Sequence, residues 1–284
     1  MKKIDPPFIN DIGELKALAD NEGLGSYPYL MNQYIQFRDR YNEYSDCGGD
    51  PWAVAPLPIS EHLANALKGH YSQPPVGGLG FLKEYRRKLS PTFCPMCGGF
   101  GNGTLDHYLP KNDYPEYSFF SRNLVPACNC NSLRGETVKG AAPPARVIHP
   151  YFDDFLGDRL YQSVFEGGFS SPSISIEVVE EDHPEIEILQ FHLDSVIKNE
   201  ATQGWFEKYW SDLSQRPHDK LDLVLPPPTQ DLTGAELKAA IRKYRDYMDK
   251  DHDTPNNWFS IFYTGLMNCQ DRLDRLAAVI KSLR

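Results

Sequence analysis

No stretch of eighteen consecutive apolar residues occurs in this chain, which takes a membrane-spanning helix out of the expectations. The opening segment MKKIDPPFINDIGE has no apolar centre of the kind a signal peptide needs, so the expected setting is soluble and cytoplasmic. Cysteine is sparse: six in 284 residues, too few for a disulfide framework at this length. Positive charge is in deficit, with 29 Lys and Arg against 39 Asp and Glu and a net charge of -10. Nonspecific affinity for nucleic acid comes mostly from cations that release counterions, so this balance excludes a free-standing, high-affinity binder and leaves only local patches. Neither an internal repeat nor a base-reading motif is present.

What is present begins with helical patterning. Ile9, Ile12, Leu15 and Ala19 recur at helical steps, and Leu30, Tyr34, Phe37, Tyr41 and Tyr44 share one face of a longer helix. Such an aromatic stripe is expected in the core rather than as a base-stacking platform. Cys47-Gly48-Gly49-Asp50-Pro51 breaks that helix. Ser60 is an N-cap candidate for a helix with Leu63, Ala66 and Leu67 on its apolar side. Leu79 to Leu89 reads as a short basic helix, stopped by Pro91. It carries Lys83, Arg86, Arg87 and Lys88, a candidate patch that is equally well a solvated face; Arg122, Arg134 and Lys139 form a second group.

Beyond residue 140, GAAPP (140–144) reads as a stiff linker. Ser173 to Val179 and Glu185 to Phe191 alternate apolar and polar residues and are expected to pair as a β-hairpin. Trp205 to Leu213, Ala235 to Met248 and Trp258 to Leu283 read as helices, with Pro226-Pro227-Pro228 as a rigid spacer. Their aromatics, Trp205, Phe206, Tyr209, Trp210, Trp258, Phe259 and Phe262, are expected mostly in the core. Cys47 and Cys269 stand alone and are expected as free thiols.

The chemistry concentrates between Phe93 and Glu136, which holds four of the six cysteines. Cys94-Pro95-Met96-Cys97-Gly98-Gly99 has the spacing of a zinc knuckle, and Cys128 and Cys130 supply a second close pair. A structural Zn2+ held by four thiolates is the favoured reading over unbound thiols. The second pair encloses a single residue, so either its turn is tightened or one of the two is not a ligand. Between the pairs, TLDHYLPK (104–111) ends a short extended segment on Asp106 and His107. A carboxylate suits a hard cation, and a neutral imidazole takes a proton from water near neutral pH. Alone, the dipeptide would be a surface Asp and a hydrogen-bonded His.

Taken in order, the knuckle, Leu105-Asp106-His107 with Leu109-Pro110-Lys111, Asn123-Leu124-Val125-Pro126 and Cys130-Asn131 resemble the HNH, or ββα-metal, nuclease family. The resemblance covers less than a fifth of the chain. It implies Asp106 as first ligand and Asn131 as second ligand of a catalytic divalent cation, Mg2+ above all. It further implies His107 as general base and Asn123 as the residue that braces the loop holding the His ring. Many family members carry His where Asn131 stands. Lys111 and Arg134 are candidate contacts to the phosphate backbone. His149 to Asp153 resembles a segment that follows the core in longer HNH proteins of bacterial defence loci, although a packed structural role for His149 is the simpler reading.

The expectation is therefore an α+β chain, with a helical region over 1–90, an HNH core over 91–140 and a mixed, mostly helical region over 141–284. The activity implied is metal-dependent hydrolysis of DNA phosphodiesters. The chain also resembles the HNH subunit of Septu-type anti-phage defence systems, which implies delivery to DNA by an ATPase partner. The rival expectation is a zinc-stapled module that binds nucleic acid or protein without cutting.

Overall fold

The computed structural model describes residues 1–88, 92–101, 104–226 and 232–283, without the side chains of 87 and 88. It is an α+β chain, about half helical, and among the described residues there are two small antiparallel two-stranded sheets. No helix among the described residues is long and apolar enough to cross a membrane. The chain forms two compact units: Lys3–Met96 with Phe100–Asp154, and Phe155–Arg284 with Met1–Lys2 and Cys97–Gly99.

The unit that begins at Lys3 contains α1 (Asp11–Ala19), α2 (Tyr29–Asp46), α3 (Glu61–Ser72) and α4 (Phe81–Lys88), then β1 (Thr104–His107), β2 (Leu124–Ala127) and α5 (Cys130–Arg134). The aromatic stripe of α2 is core, as its spacing predicts: Leu30, Phe37, Tyr41 and Tyr44 are buried and Tyr34 is half-buried. Tyr41 stacks on Phe120 at 4.2 Å and Tyr44 packs on Tyr117 at 5.0 Å. Burying each such ring contributes about 1.5–3 kcal/mol, which anchors the segment between β1 and β2 on the helical layer. The Ser60 hydroxyl accepts from Leu63 N–H and caps α3. α4 falls where the basic helix is expected, while Leu89 and Pro91 lie outside the described residues.

β1 and β2 pair with Asp106 opposite Val125 and His107 opposite Leu124. The 140–144 stretch is not a stiff linker: Gly140 N–H donates to Ala145 O, and Lys139 and Arg146 form an antiparallel bridge that closes it into a tight loop.

This unit also buries a carboxyl. Glu116 is 0% exposed, its Oε1 accepts from Leu57 N–H at 2.7 Å, and its Oε2 has no partner among the described residues. Burial raises its pKa to about 7. The folded state thus keeps a proton that the unfolded chain releases near 4.5, and stability falls as pH rises across that interval. Glu116→Gln, which cannot ionise, is expected to gain on wild type by on the order of 1–3 kcal/mol between about pH 5 and pH 8. Urea unfolding at the two pH values checks this; a pH-independent difference would refute it.

The other unit starts with a hairpin of β3 (Tyr161–Glu166) and β4 (Ser173–Val178), in which Tyr161 opposes Val178 and Phe165 opposes Ile174. Ile174, Ile176 and Val178 point inward and alternate with exposed residues, so β4 is the strand its pattern predicts. Its partner is not Glu185 to Phe191. That segment is helical, α6 (Ile186–His192), and the buried residues are Ile188, Leu189 and His192. Spacings of one and four residues make a helical face, and the alternation of Ile186 and Ile188 is too short to specify a strand.

Helices α7 (Glu200–Gln215), α8 (Pro217–Leu221), α9 (Gly234–His252), α10 (Trp258–Leu266) and α11 (Gln270–Ser282) complete this unit. The single helix expected over Trp258 to Leu283 is two, interrupted at Met267 to Cys269. Every residue of α10 except Phe259 is buried; a side chain added at Gly265 would strike Ser163 O of β3 at 1.7 Å. The aromatics of α7 and α10 are core except for Trp205 and Phe259, which are half-buried, and Trp205 stacks on Tyr209 at 4.8 Å. Pro227 and Pro228 lie outside the described residues. Cys47 and Cys269 are half-buried thiols whose pKa values burial raises.

Candidate functional site

The four paired cysteines converge. The sulfurs of Cys94, Cys97, Cys128 and Cys130 all lie within 4.8 Å of one another, and Cys94 Sγ is 3.6 Å from Cys130 Sγ. Ligands about 2.3 Å from a tetrahedral zinc stand about 3.8 Å apart, so the cluster is of a size that can hold such an ion. Backbone N–H groups of Gly99, Cys128 and Cys130 point at Cys97, Cys94 and Cys128 Sγ, each at 3.4 Å, which favours the thiolate form. The short second pair brings both its sulfurs into the cluster, because Cys130 opens α5 directly after the turn.

Asp106 and His107 end β1 and have different neighbours. Asp106 faces α5: its Oδ2 accepts from Arg134 Nη2 at 2.8 Å, within a pair whose Arg side chain is 1% exposed. Burial raises the Asp106 pKa, and the Arg134 charge opposes the shift. Arg134 also donates to the carbonyls of Thr137 and His107. It is a buried partner of Asp106 and not an exposed cation, so the phosphate contact expected of it finds no support in its placement. Asn131 donates to Thr104 Oγ1 at 3.2 Å. Thr104 and Asp106 are two residues apart on β1, and Asn131 and Arg134 three apart on α5, so all four belong to one strand–helix contact.

His107 faces the other way. Its ring packs edge-on to Tyr71 of α3 at 4.3 Å, and its Nε2 lies 2.9 Å from Ser118 O. A carbonyl only accepts, so Nε2 carries the proton and Nδ1 the lone pair. Nδ1 has no hydrogen-bond partner among the described residues. Burial, above all, pushes the pKa of His107 down to about 4, helped by the charges of Lys111, Arg86 and Arg134 and opposed by the Ser118 bond. The ring is a neutral acceptor at physiological pH.

Asn123 is a staple. Its Oδ1 accepts from Leu109 N–H at 2.8 Å, and its Nδ2 donates to Leu109 O at 3.1 Å and Tyr117 O at 3.3 Å. One amide thereby fixes the backbone that follows His107 and the backbone next to Ser118, whose carbonyl orients the ring. Tyr44, 79 residues away in sequence, completes it: its hydroxyl donates to Asn123 Oδ1 at 3.0 Å. Because His149 Nδ1 accepts from Tyr151 N–H, His149 Nε2 is the donor to Tyr44, also at 3.0 Å. His149 is buried, and burial holds it neutral, so it is a packed structural histidine. Tyr44→Phe, which removes the shared hydroxyl, is expected to cost about 1–3 kcal/mol in urea unfolding. A loss below about 0.5 kcal/mol would mean that this relay does not hold the staple.

The cations of the site are Lys111, whose Nζ lies 5.1 Å from the centre of the Tyr71 ring, and Arg86, whose guanidinium carbon lies 4.9 Å from it. The α2 stripe marks Tyr44 as core but not as a partner of Asn123, and Tyr71 carries no local signal, since both roles depend on helices folding back onto the Phe93–Glu136 stretch.

No family model matches the chain and no solved structure matches it. Among curated proteins, "Protein ea31" of Escherichia phage lambda is similar, at 26% identity over 189 residues, covering 63% of this chain and 62% of that protein. The chain thus spans less than two thirds of the length of the relative it matches.

Proposed function

We propose that this chain is a metal-dependent endonuclease of the HNH type, with β1, β2 and α5 as its ββα-metal core and the cysteine cluster as its structural zinc site. The observation that carries the reading is the state of His107: neutral, with its tautomer set by Ser118 O, and with the Nδ1 lone pair unpartnered among the described residues. A histidine held for packing alone has no need of an open acceptor. In this reading Nδ1 takes the proton of the attacking water while Nε2 stays bound to Ser118 O.

Asp106 and Asn131 would hold the catalytic cation. The donor set fits a hard ion such as Mg2+, since Asp106 offers a carboxylate and Asn131 an amide oxygen. When bound, the cation supplies charge stabilisation at the scissile phosphate and the leaving oxygen. Arg134 fixes the other oxygen of Asp106, and Asn123 keeps the His107 loop in register.

One observation favours the rival reading, a zinc-stapled binding module: Asp106 is already neutralised by Arg134, as a purely structural carboxylate would be. Incubation of purified protein with plasmid DNA, with Mg2+ withheld and then restored, decides between them. Nicking or linearisation only with Mg2+ supports the nuclease; intact plasmid alongside measurable binding supports the module.

The biological setting we propose is anti-phage defence, with an ATPase partner that brings the nuclease to DNA. Its support is the sequence resemblance together with the deficit of 29 basic against 39 acidic side chains, which on average repels a polyanion. Tight DNA binding and efficient cutting by the isolated chain at physiological salt would refute the need for a partner.

A further inference from the structure

We propose that the free edge of β4 is a docking strip for a lysine- and arginine-rich segment of a protein partner, which adds to the β3–β4 hairpin as an extended third strand. No residue of the candidate nuclease site takes part, so the strip stands or falls apart from the nuclease reading. Two independent features meet here: a row of unpaired backbone groups and an unbroken run of negative charge.

The pairing of the hairpin decides which backbone groups are left over. In an antiparallel ladder, hydrogen-bonded and non-hydrogen-bonded pairs alternate. Val179 N–H donates to Leu160 O at 2.9 Å, so with Tyr161 opposite Val178 the bonded pairs are Gln162 with Glu177, Val164 with Ser175 and Glu166 with Ser173. The N–H and C=O groups of Ile174, Ile176 and Val178 therefore point away from β3, and none of them has a hydrogen-bond partner among the described residues. The matching edge of β3 is covered by α10: Ser163 Oγ donates to Phe262 O at 2.8 Å, and the backbones approach so closely that Gly265 has no room for a side chain. β4 has none of the devices that close an edge, since SISIEV (173–178) contains neither Lys nor Pro and its register runs without a bulge. Beside it lies a cleft of about 340 Å3, with Ser175 and Ile176 on one side and Asn199, Thr202 and Gln203 at the start of α7 on the other. An added strand, about 4.8 Å from β4, runs along this cleft.

Charge selects the occupant. Residues 160–197 hold eight Asp and Glu and not one Lys or Arg. Glu177, Glu180, Glu181, Asp182 and Glu187 are exposed, and none has a cationic partner among the described residues. Lys198, which also lines the cleft, is already engaged by Asp194 at 2.9 Å. A second copy of this chain would bring two such runs of carboxylates together, and a nucleic-acid backbone would meet charge of its own sign, so both are disfavoured. A strand that bears cations meets the opposite sign, while its N–H and C=O groups pair with those of Ile174, Ile176 and Val178. Side-chain alternation sets its pattern. Residues opposite Ile174, Ile176 and Val178 turn to the buried side and are apolar; those opposite Ser175 and Glu177 turn to the exposed face and carry the lysines or arginines.

The test uses the full chain and a fluorescent peptide of about eight residues that alternates lysine with valine or threonine, beside a second peptide with glutamate in place of each lysine. Binding is read by anisotropy, and amide hydrogen exchange by NMR. The lysine peptide is expected to bind and, at saturation, to slow exchange at Ile174, Ile176 and Val178 by on the order of tenfold or more. The glutamate peptide is expected to do neither. Joint replacement of three exposed carboxylates, Glu180→Lys, Glu181→Lys and Asp182→Lys, is expected to weaken binding of the lysine peptide by about tenfold or more. Glu22→Lys, at an exposed position of the other unit, is expected to leave it unchanged. The exchange measurement is made on wild type, so a triple variant that fails to fold leaves the test intact. Binding without slowed exchange at the three amides would reduce the strip to a charged surface and overturn strand addition. Equal protection by the glutamate peptide would overturn selection by charge. Protection that grows with protein concentration in the absence of peptide would make the edge an interface between copies and overturn the partner. No binding of the lysine peptide at low salt would overturn the proposal outright.

Discussion

His107→Ala is expected to lower DNA cleavage by on the order of 10²-fold or more, with zinc content and folded structure retained. The ring contributes an acceptor of fixed direction, and Ala removes it while leaving Asn123, Leu109 and Ser118 in place. The pH profile is a second readout. With a pKa near 4 instead of 6.5, the imidazole stays roughly nine-tenths neutral at about pH 5, where an ordinary histidine is mostly protonated. The wild-type rate is therefore expected to hold nearly level from about pH 7 to pH 5, so far as this base governs it. The same shift acts on stability: the unfolded chain takes up this proton near 6.5 and the folded chain only near 4, so stability falls as pH drops through that interval. Near wild-type cutting by the Ala variant would sink the assignment of the base.

Cys94→Ser is expected to have the largest effect on the fold. Structural zinc contributes its binding free energy to folding, about 10–16 kcal/mol in small zinc-finger peptides near neutral pH. Loss of one thiolate among four is therefore expected to cost several kcal/mol in this chain. Metal analysis of purified wild type should return about one tightly held zinc per chain and the variant little. Equal zinc in both proteins would rule out a structural site. Since the sulfurs of the shortened pair both lie in the cluster, Cys128→Ser and Cys130→Ser are expected to lose zinc alike; full retention by Cys128→Ser would reduce the second pair to one ligand.

The sequence made some of this legible because the signals are local. Cysteine spacing, the Ser60 cap and the α2 stripe each act within a few turns of chain, and all three stand in the structure as their patterns predict. The misreadings came where a short pattern served two structures. Ile186 and Ile188 fit a strand, yet Ile188, Leu189 and His192 build a helix face. Arg134 looks like a surface cation because α5 is only five residues long, and nothing in a linear string says that Asp106, 28 residues earlier, lies against it. Asn123 was visible through its motif, whereas Tyr44, Tyr71 and the orienting carbonyl of Ser118 were not. Tyr44 and Tyr71 act across gaps in sequence that the packing of α2 and α3 closes, and Ser118 acts across the connection between β1 and β2.

The glycines of the first cysteine pair carry a separate consequence. A side chain at Gly98 would meet the Asn256 carbonyl at 2.1 Å, and one at Gly99 the Trp258 indole at 2.4 Å. Gly98 also has a φ of +76°, where any other residue is strained. Both constraints come from neighbouring backbone and ring atoms and owe nothing to a metal. A lineage that drifted away from its thiolates would still be held to Gly98 and Gly99, so the two glycines would outlast the cysteines as the fossil of a knuckle.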